Sequence, residues 1–245
     1  MAYRLRFGTI DFPATMRPDG GASPVDLAEQ ERPRGDGSIT QTGRRKSRTV
    51  TLRGAITAAD ADTLQGIFDD MRAACSIGVK GALWFGRDDR FANAQVETWT
   101  DDTQDGLLWG VVCNIAIGFR IADPYWYATS PTTTALTTAG GTITPGANAP
   151  AAPVWSITIG TGGTGTITLT NSTTGEAATI TGTFTAADVI VIDRAAYTVS
   201  LNGVPTFGLL NGRIPTLAAD LNVISASATT VTISALSCTY TARYE

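Results

Sequence analysis

The residues of this sequence able to do chemistry are carboxylates, three cysteines and a run of cationic side chains; histidine is absent. That absence excludes Ser-His-Asp and Cys-His nucleophilic catalysis, HExxH zinc sites and the two-histidine iron triad together. Acidic clusters remain, Asp88-Asp89 and Asp101, Asp102 and Asp105. Two carboxylates flanking one bond hydrolyse glycosides, and clustered carboxylates hold calcium. Neither cluster has the DxDxDG spacing of a calcium loop, and both fall in expected loops, where surface acids serve solubility. Cys75, Cys113 and Cys238 are far apart and show no CxxC spacing. An odd, scattered set reads as small buried hydrophobes, not as a metal site, redox pair or disulfide framework. Gly160-Thr161-Gly162-Gly163-Thr164-Gly165 is glycine-rich, but no lysine follows and no helix starts after it, as a phosphate cradle requires. It reads as a flexible hairpin loop. No catalytic, cofactor or metal site is expected, and the chain reads as a non-enzyme.

The cations are concentrated. Between positions 32 and 53 lie Arg32, Arg34, Arg44, Arg45, Lys46, Arg48 and Arg53, against a single acid, Asp36. A nucleic-acid arm, a solvated face and a salt-dependent contact with an acidic neighbouring subunit all fit this pattern. The net charge of −4 and the lack of interleaved aromatics count against nucleic acid. A subunit contact of this kind raises specificity and on-rate more than affinity. Arg32, Arg34, Arg44, Arg45, Lys46 and Arg48 are therefore the candidate interaction residues. Arg34-Gly35-Asp36 is the integrin-ligand tripeptide, and a polar turn is its simpler meaning. Trp84, Trp99, Trp109, Trp126 and Trp155 offer a sugar-stacking platform; Trp109 falls on an apolar face, as a core residue would, and Trp126 and Trp155 flank the expected domain junction and are candidates to pack there.

The elements that must position these residues follow from periodicity. No stretch approaches the roughly 20 apolar residues of a membrane helix, so no membrane insertion is expected. The alternating N-terminus does not read as a signal peptide, so release from the cell would need lysis or a dedicated machine. Residues 1–128 hold 15 of the 18 basic and 17 of the 22 acidic residues, while the remainder is rich in Thr, Ser, Ala and Gly. That shift predicts two domains, 1–129 and 130–245. In the first, Tyr3–Phe12 reads as a strand and Pro13–Gly43 as a long, breaker-rich arm. Arg44–Ile56 resumes a strand. A helix follows, with Thr57 as N-cap and a stripe of Leu64, Ile67, Phe68, Met71 and Cys75 packed on a sheet. Short strands are expected over 81–86 and 93–99. Every odd position from Leu107 to Ile121 is apolar, the strongest strand signal present, with a bend near Gly110 or Gly118. One helix among these strands makes this domain α+β.

Residues 130–153, rich in Thr, Gly and Pro, read as linker with some strand. Beyond them strands are expected over 154–159, 164–171, 177–184, 188–193, 197–201, 221–227, 230–235 and 237–244. Asn202-Gly203 is a hairpin signal. Regular short strands of this kind predict an antiparallel sandwich, and the chain is mainly β.

The order of these segments resembles the distal tail protein family of long-tailed, siphovirus-type bacteriophages. The resemblance is carried by the N-terminal strand, the arm, Arg48-Thr49-Val50-Thr51-Leu52-Arg53-Gly54, the amphipathic helix and Trp84-Phe85. It continues through Phe119-Arg120-Ile121-Ala122-Asp123-Pro124-Tyr125-Trp126, Asp188–Asp193, Tyr197–Gly203 and 217–224. Where the family pattern has a Pro-Gly-x-Asn turn, this chain has Ala219-Asp220-Leu221-Asn222. The resemblance implies an N-terminal domain with one helix and an arm, followed by a galectin-like antiparallel sandwich. It implies a structural virion protein of the tail tip or baseplate, a homohexameric ring joining the tail tube protein to the tail hub protein. Fibre or receptor-binding proteins are further candidate partners, and a cofactor or specific nucleic acid is not implied. It places the protein at the distal end of the tail, assembled in the host cytoplasm. The alternative function is a carbohydrate-binding sandwich that contacts the host surface, with Trp155 as its aromatic.

Overall fold

The computed structural model describes residues 5–20, 25–26, 29–31, 38–40, 44–101 and 111–245. In chain order the first elements are β1 (Leu5–Phe7), β2 (Ile10–Asp11), β3 (Arg17–Gly20), β4 (Val25–Asp26), β5 (Glu29–Glu31), β6 (Ser38–Thr40), β7 (Arg44–Arg45) and β8 (Arg48–Thr57). The helix α1 (Ala61–Ala74) follows, then β9 (Lys80–Phe85), β10 (Arg90–Asp101) and β11 (Val112–Ile121). The chain divides into two units, Met1–Trp126 and Tyr127–Glu245.

The alternation seen in the sequence builds the first core. Cys113, Ile115, Ile117, Phe119 and Ile121 of β11 are all buried, facing Val50, Leu52 and Ile56 of β8 and Ala92, Ala94 and Val96 of β10. Positions 102–110 lie outside the described residues. The sheet is antiparallel, in the order β2-β1-β9-β10-β11-β8-β3. The expected strand over Tyr3–Phe12 is instead a tight hairpin, because Gly8 adopts φ +57° and turns the chain between β1 and β2. The β10–β11 register shifts between Val96 and Thr98, opposite Gly118. A Cβ on Gly118 would stand 2.3 Å from Thr98 Oγ1, so this bulge admits glycine there.

The helix begins later than expected. Thr57 stays in β8, held opposite Val112 by the ladder. Asp60 caps instead, its carboxylate accepting from Thr63 N at 2.7 Å. Leu64, Phe68, Met71 and Cys75 are buried against the sheet and Ile67 is half-buried, with Phe68 edge-on to Trp99 at 5.6 Å.

The described residues of the expected arm include paired strands. β3 pairs β8 from Arg17↔Arg53 to Gly20↔Val50. Val25↔Arg45 and Asp26↔Arg44 in β4 and β7 keep that register. Glu29↔Thr40 to Glu31↔Ser38 in β5 and β6 lie one residue off it. The pairs β4–β7 and β5–β6, here called the ribbon, are two-stranded sheets separate from the large one.

The later elements are β12 (Trp126–Ala128), β13 (Thr132–Leu136), β14 (Gly140–Ile143), β15 (Val154–Ile159), β16 (Gly163–Asn171), β17 (Glu176–Phe184) and β18 (Val189–Asp193). They end with β19 (Thr198–Leu201), β20 (Val204–Pro205), β21 (Leu210–Gly212), β22 (Asn222–Thr229), β23 (Ile233–Tyr240) and β24 (Arg243–Tyr244). The second unit packs two antiparallel sheets, β13-β23-β15-β18-β19-β20 and β14-β22-β16-β17-β21. Trp155, Ile157, Ile190, Ile192 and Leu236 of one sheet meet Ile167, Leu169, Ile180 and Ile224 of the other in a dry core. Threonines line up across β16 and β17, with Thr164–Thr183 and Thr166–Thr181 hydroxyls 2.9 and 3.1 Å apart.

Asn202 and Gly203, both at positive φ (50° and 79°), make the two-residue turn between β19 and β20. Three sequence expectations need correction. The Gly160–Gly165 segment is not a hairpin loop, since β15 and β16 belong to opposite sheets. Its glycines serve backbone approach where the chain crosses over: a Cβ on Gly162 or Gly165 would stand 2.6 Å from Phe184 O or 2.2 Å from Thr229 O. The strands expected over 230–235 and 237–244 give way to one main strand, β23, because β13 and β15 pair it along both edges; Thr230 makes the turn before it at φ +68°. Within 130–153, β13 and β14 are ordered parts of both sheets rather than linker.

Candidate functional site

The six candidate cations do not share one environment. Arg32 and Arg34 lie outside the described residues, as does the Arg34-Gly35-Asp36 tripeptide. Arg44 and Arg45 form β7, at the root of the ribbon, and Lys46 beside them is exposed. Arg48, two residues on, points into the first core: it is buried, with its guanidinium 4.5 Å over the Trp126 ring. Burial lowers the Arg48 pKa from the ordinary arginine value, and the charge of Arg45 pushes the same way. The structure therefore gives Arg48 a packing role and leaves Lys46 exposed beside the half-buried Arg45.

The carboxylates are paired within the fold. Asp89 receives both Arg87 Nε and Nη2 at 2.8 Å, with Arg90 at 3.5 Å. The Arg87 hydrogen bond holds the Asp89 carboxyl below the usual range. Asp101 accepts from Trp99 Nε1 at 2.8 Å and from Arg72 at 3.1 Å, pinning the end of β10 to α1. Asp102 and Asp105 lie outside the described residues. Among the described residues no three His, Cys, Asp or Glu side chains gather as a metal site. Cys75, Cys113 and Cys238 are buried, and burial pushes the Cys75 and Cys238 thiols up to about 12, so neither supplies thiolate near neutral pH.

The described tryptophans do not form a stacking platform. Trp155 is fully buried and donates Nε1 to Pro215 O at 3.1 Å, so no sugar can reach its face. Trp84 lies under the Arg6 guanidinium at 3.7 Å and beside Phe91. Trp99 meets Phe68, and Trp126 meets Phe85 and Arg48. Trp109 lies outside the described residues. A groove of about 650 Å³ in the first unit is lined by Lys80, Asn93, Gln95, Arg120 and Asp123, which include no carboxylate pair.

A polar network in the second unit escaped the sequence reading. Asn171 and Asn222 are fully buried, with Asn171 Nδ2 donating to Asn222 Oδ1 at 2.9 Å. Asn222 Oδ1 also accepts from Ala218 N at 2.8 Å, and its Nδ2 faces the carbonyls of Ile143, Ala218 and Asp220. The Ala219-Asp220-Leu221-Asn222 turn is thus held by its terminal asparagine, without the proline and glycine of the family pattern. Next to it Glu176 accepts from Thr216 N at 2.8 Å and Thr216 Oγ1 at 2.6 Å, with Arg194 at 3.7 Å. Burial raises the Glu176 pKa, but the Thr216 bonds and the charges of Arg194 and Arg213 outweigh it, leaving the pKa lowered. The missed signal was phase: Asn171 follows Ile167 and Leu169, and Asn222 precedes Ile224 and Ala226, at core-facing positions of their strands. These groups clamp the 213–222 loop.

Residues 146–244 match the family described as siphovirus-type tail component, C-terminal domain. No curated protein sequence matches the chain. Among solved structures, the Dit protein of phage SPP1, presented as a paradigm of the hub adsorption apparatus in phages infecting Gram-positive bacteria, is similar over 100% of both chains, with a TM-score of 0.76 at 15% identity. The phage p2 baseplate in its activated conformation with Ca aligns over 99% of this chain and 98% of that one (TM-score 0.49, 10% identity). The same baseplate with Sr aligns over 96% and 97% (0.43, 11%). The distal tail protein resemblance therefore stands in sequence for residues 146–244, and across the whole chain as a likeness of fold to the SPP1 protein.

Proposed function

We propose that this chain is a structural, non-enzymatic subunit of the tail tip of a long-tailed bacteriophage. Six copies close into a ring that joins the tail tube protein to the hub and fibre apparatus. The observation that carries this reading is the match of residues 146–244 to a tail-component family, within a chain whose fold follows the SPP1 Dit protein from end to end. The first unit builds the ring around the central channel. Assembly takes place in the host cytoplasm, and the finished protein resides at the distal end of the virion tail.

The ribbon gives the ring a physical basis. A two-stranded ribbon with no third strand is marginal on its own in water. The pairs β4–β7 and β5–β6 have no third strand among the described residues, and residues 28–48 reach the adjacent subunit and gain their stability there. Contacts between unlike patches of identical copies close into rings when the rotation allows. Gold-labelled antibody against an epitope tag on this chain should decorate the far end of the tail in assembled particles. Gold confined to heads, or particles without label, would overturn the assignment.

A further inference from the structure

The solvent face of the first unit's sheet carries a local conflict of charge. Arg17 in β3 and Arg53 in β8 stand directly opposite each other in the antiparallel register, and both are exposed. Like charges directly opposite across strands are destabilising. Among the described residues no acid pairs with Arg17. Arg53 reaches Asp19 at 4.0 Å, with both side chains about two-thirds exposed or more, a contact of little strength in water. Asp19 is the one acid of the two strands. Each arginine also borders a groove. Arg53 lines one of about 370 Å³ with Gly54, Ala55 and Ala116, and Arg17 lines one of about 520 Å³ with Ala14 and Met16.

The helix lies on the other face of the sheet. Alternation along β8 buries Val50, Leu52 and Ile56 in one core with Leu64, Phe68 and Met71 of α1, and turns Arg53 the opposite way. Arg17 shares the face of Arg53 through the register. The solvent face of α1 carries Asp62, Asp69 and Asp70, all exposed. Among the described residues no cation pairs with these three, and Asp69 takes only Gln65 Nε2, at 2.9 Å. The helix's cation, Arg72, is engaged by Asp101 at 3.1 Å. With the sheet between them, the arginine pair and the acidic helix face cannot meet within one copy.

We propose that the Arg17–Arg53 pair receives the acidic face of the neighbouring copy's α1, with Asp62, Asp69 and Asp70 supplying the carboxylates. An anion between the two guanidiniums relieves their repulsion, and the grooves on either side admit the side chains that flank it. This rests on the ring reading and names its contact. The two surfaces differ and lie on opposite faces of one unit, so the contact is head-to-tail, the kind that closes a ring. It steers assembly and weakens with salt.

The test is charge reversal in the full chain, read by size-exclusion chromatography with light scattering at low and high salt. Arg17→Glu separates folding from association. It sets opposite charges across β3 and β8, so the thermal midpoint should hold or rise while association weakens roughly tenfold. Reversing the helix face (Asp62→Lys, Asp69→Lys, Asp70→Lys) should weaken association as much. Adding Arg17→Glu and Arg53→Glu to that chain should restore the oligomer. If circular dichroism shows the lysine variant misfolded, the three Asp→Asn changes replace it, with the same expectation of weakened, less salt-sensitive association. An oligomeric wild type whose variants keep its mass and salt dependence overturns this contact and leaves the ring standing. Two dissociating reversals that fail to rescue each other also overturn the pairing. An Arg17→Glu variant that keeps its mass but loses a gel shift of duplex DNA seen with wild type assigns the arginines to nucleic acid, and overturns it too. A wild type that is monomeric under all conditions overturns the ring reading itself.

Discussion

Replacing Asn222 tests how the second unit holds its 213–222 loop. Five hydrogen-bonding contacts converge on this side chain, which is 0% exposed. In Asn222→Ala, Ala218 N loses its side-chain acceptor and Asn171 Nδ2 keeps only Thr216 O. The lost bonds, at about 1 kcal/mol each, sum to roughly 3–5 kcal/mol. At a urea m-value of about 2 kcal/mol/M, the unfolding midpoint should fall by roughly 2 M. Five tryptophans are present, and Trp155 alone belongs to the second unit. Its resonance in ¹⁹F NMR of 5-fluorotryptophan-labelled protein therefore isolates that unit's transition. Asn222→Asp sharpens the test. A carboxylate keeps both acceptor roles but turns an anion toward three carbonyls, which raises its folded pKa. The stability of that variant is then greatest below the unfolded aspartate pKa and is lost as pH rises through the folded one. A midpoint loss under about 0.5 M for Asn222→Ala, or an Asn222→Asp variant with the pH dependence of wild type, would refute the reasoning.

Other outcomes follow from the same contacts. Trp155→Ala should destabilise the second unit by about 3–5 kcal/mol, measured by denaturation, because it empties the core; a stable variant would show that the indole is not structural. Gly165→Ala should cost about 1–3 kcal/mol, since its Cβ would collide with Thr229 O at 2.2 Å, and calorimetry reads the loss. Glu176 has a lowered pKa, so its contribution is present above the ordinary glutamate pKa and lost as pH falls through the folded value. The second unit of wild type should therefore weaken in acid more steeply than that of Glu176→Gln, judged from urea midpoints at each pH. Deleting residues 28–47, which spares the buried Arg48, should leave both units folded by circular dichroism and abolish the oligomer, and rings that survive the deletion would remove the ribbon from the interface.

Much of the fold was legible because burial writes itself into period. The odd positions of β11 and the Leu64–Cys75 stripe face one core, and Asn202-Gly203 sits in the turn its dihedral preferences demand. What stayed hidden depends on partners distant in sequence. Thr57 is a good cap in isolation, but Val112 across the ladder keeps it in a strand. The glycines at 160–165 suggest a hairpin locally, whereas their role is set by Phe184 and Thr229 in another strand. The basic run held several environments: Arg48 shares the inward phase of Val50 and Leu52 in β8 and lies against Trp126, while Lys46, before the strand begins, is exposed. No local pattern announces the ribbon either, because its rungs join residues as far apart as Arg17 and Arg53.

The central claim is that these surfaces serve other copies of the chain. The most direct measurement is negative-stain imaging of the purified full chain, with its mass taken by light scattering on the same sample. The account predicts closed rings with six-fold averages and a mass of six chains of 25.6 kDa. Particles of single-chain mass, without rings at any protein concentration or salt, would contradict it.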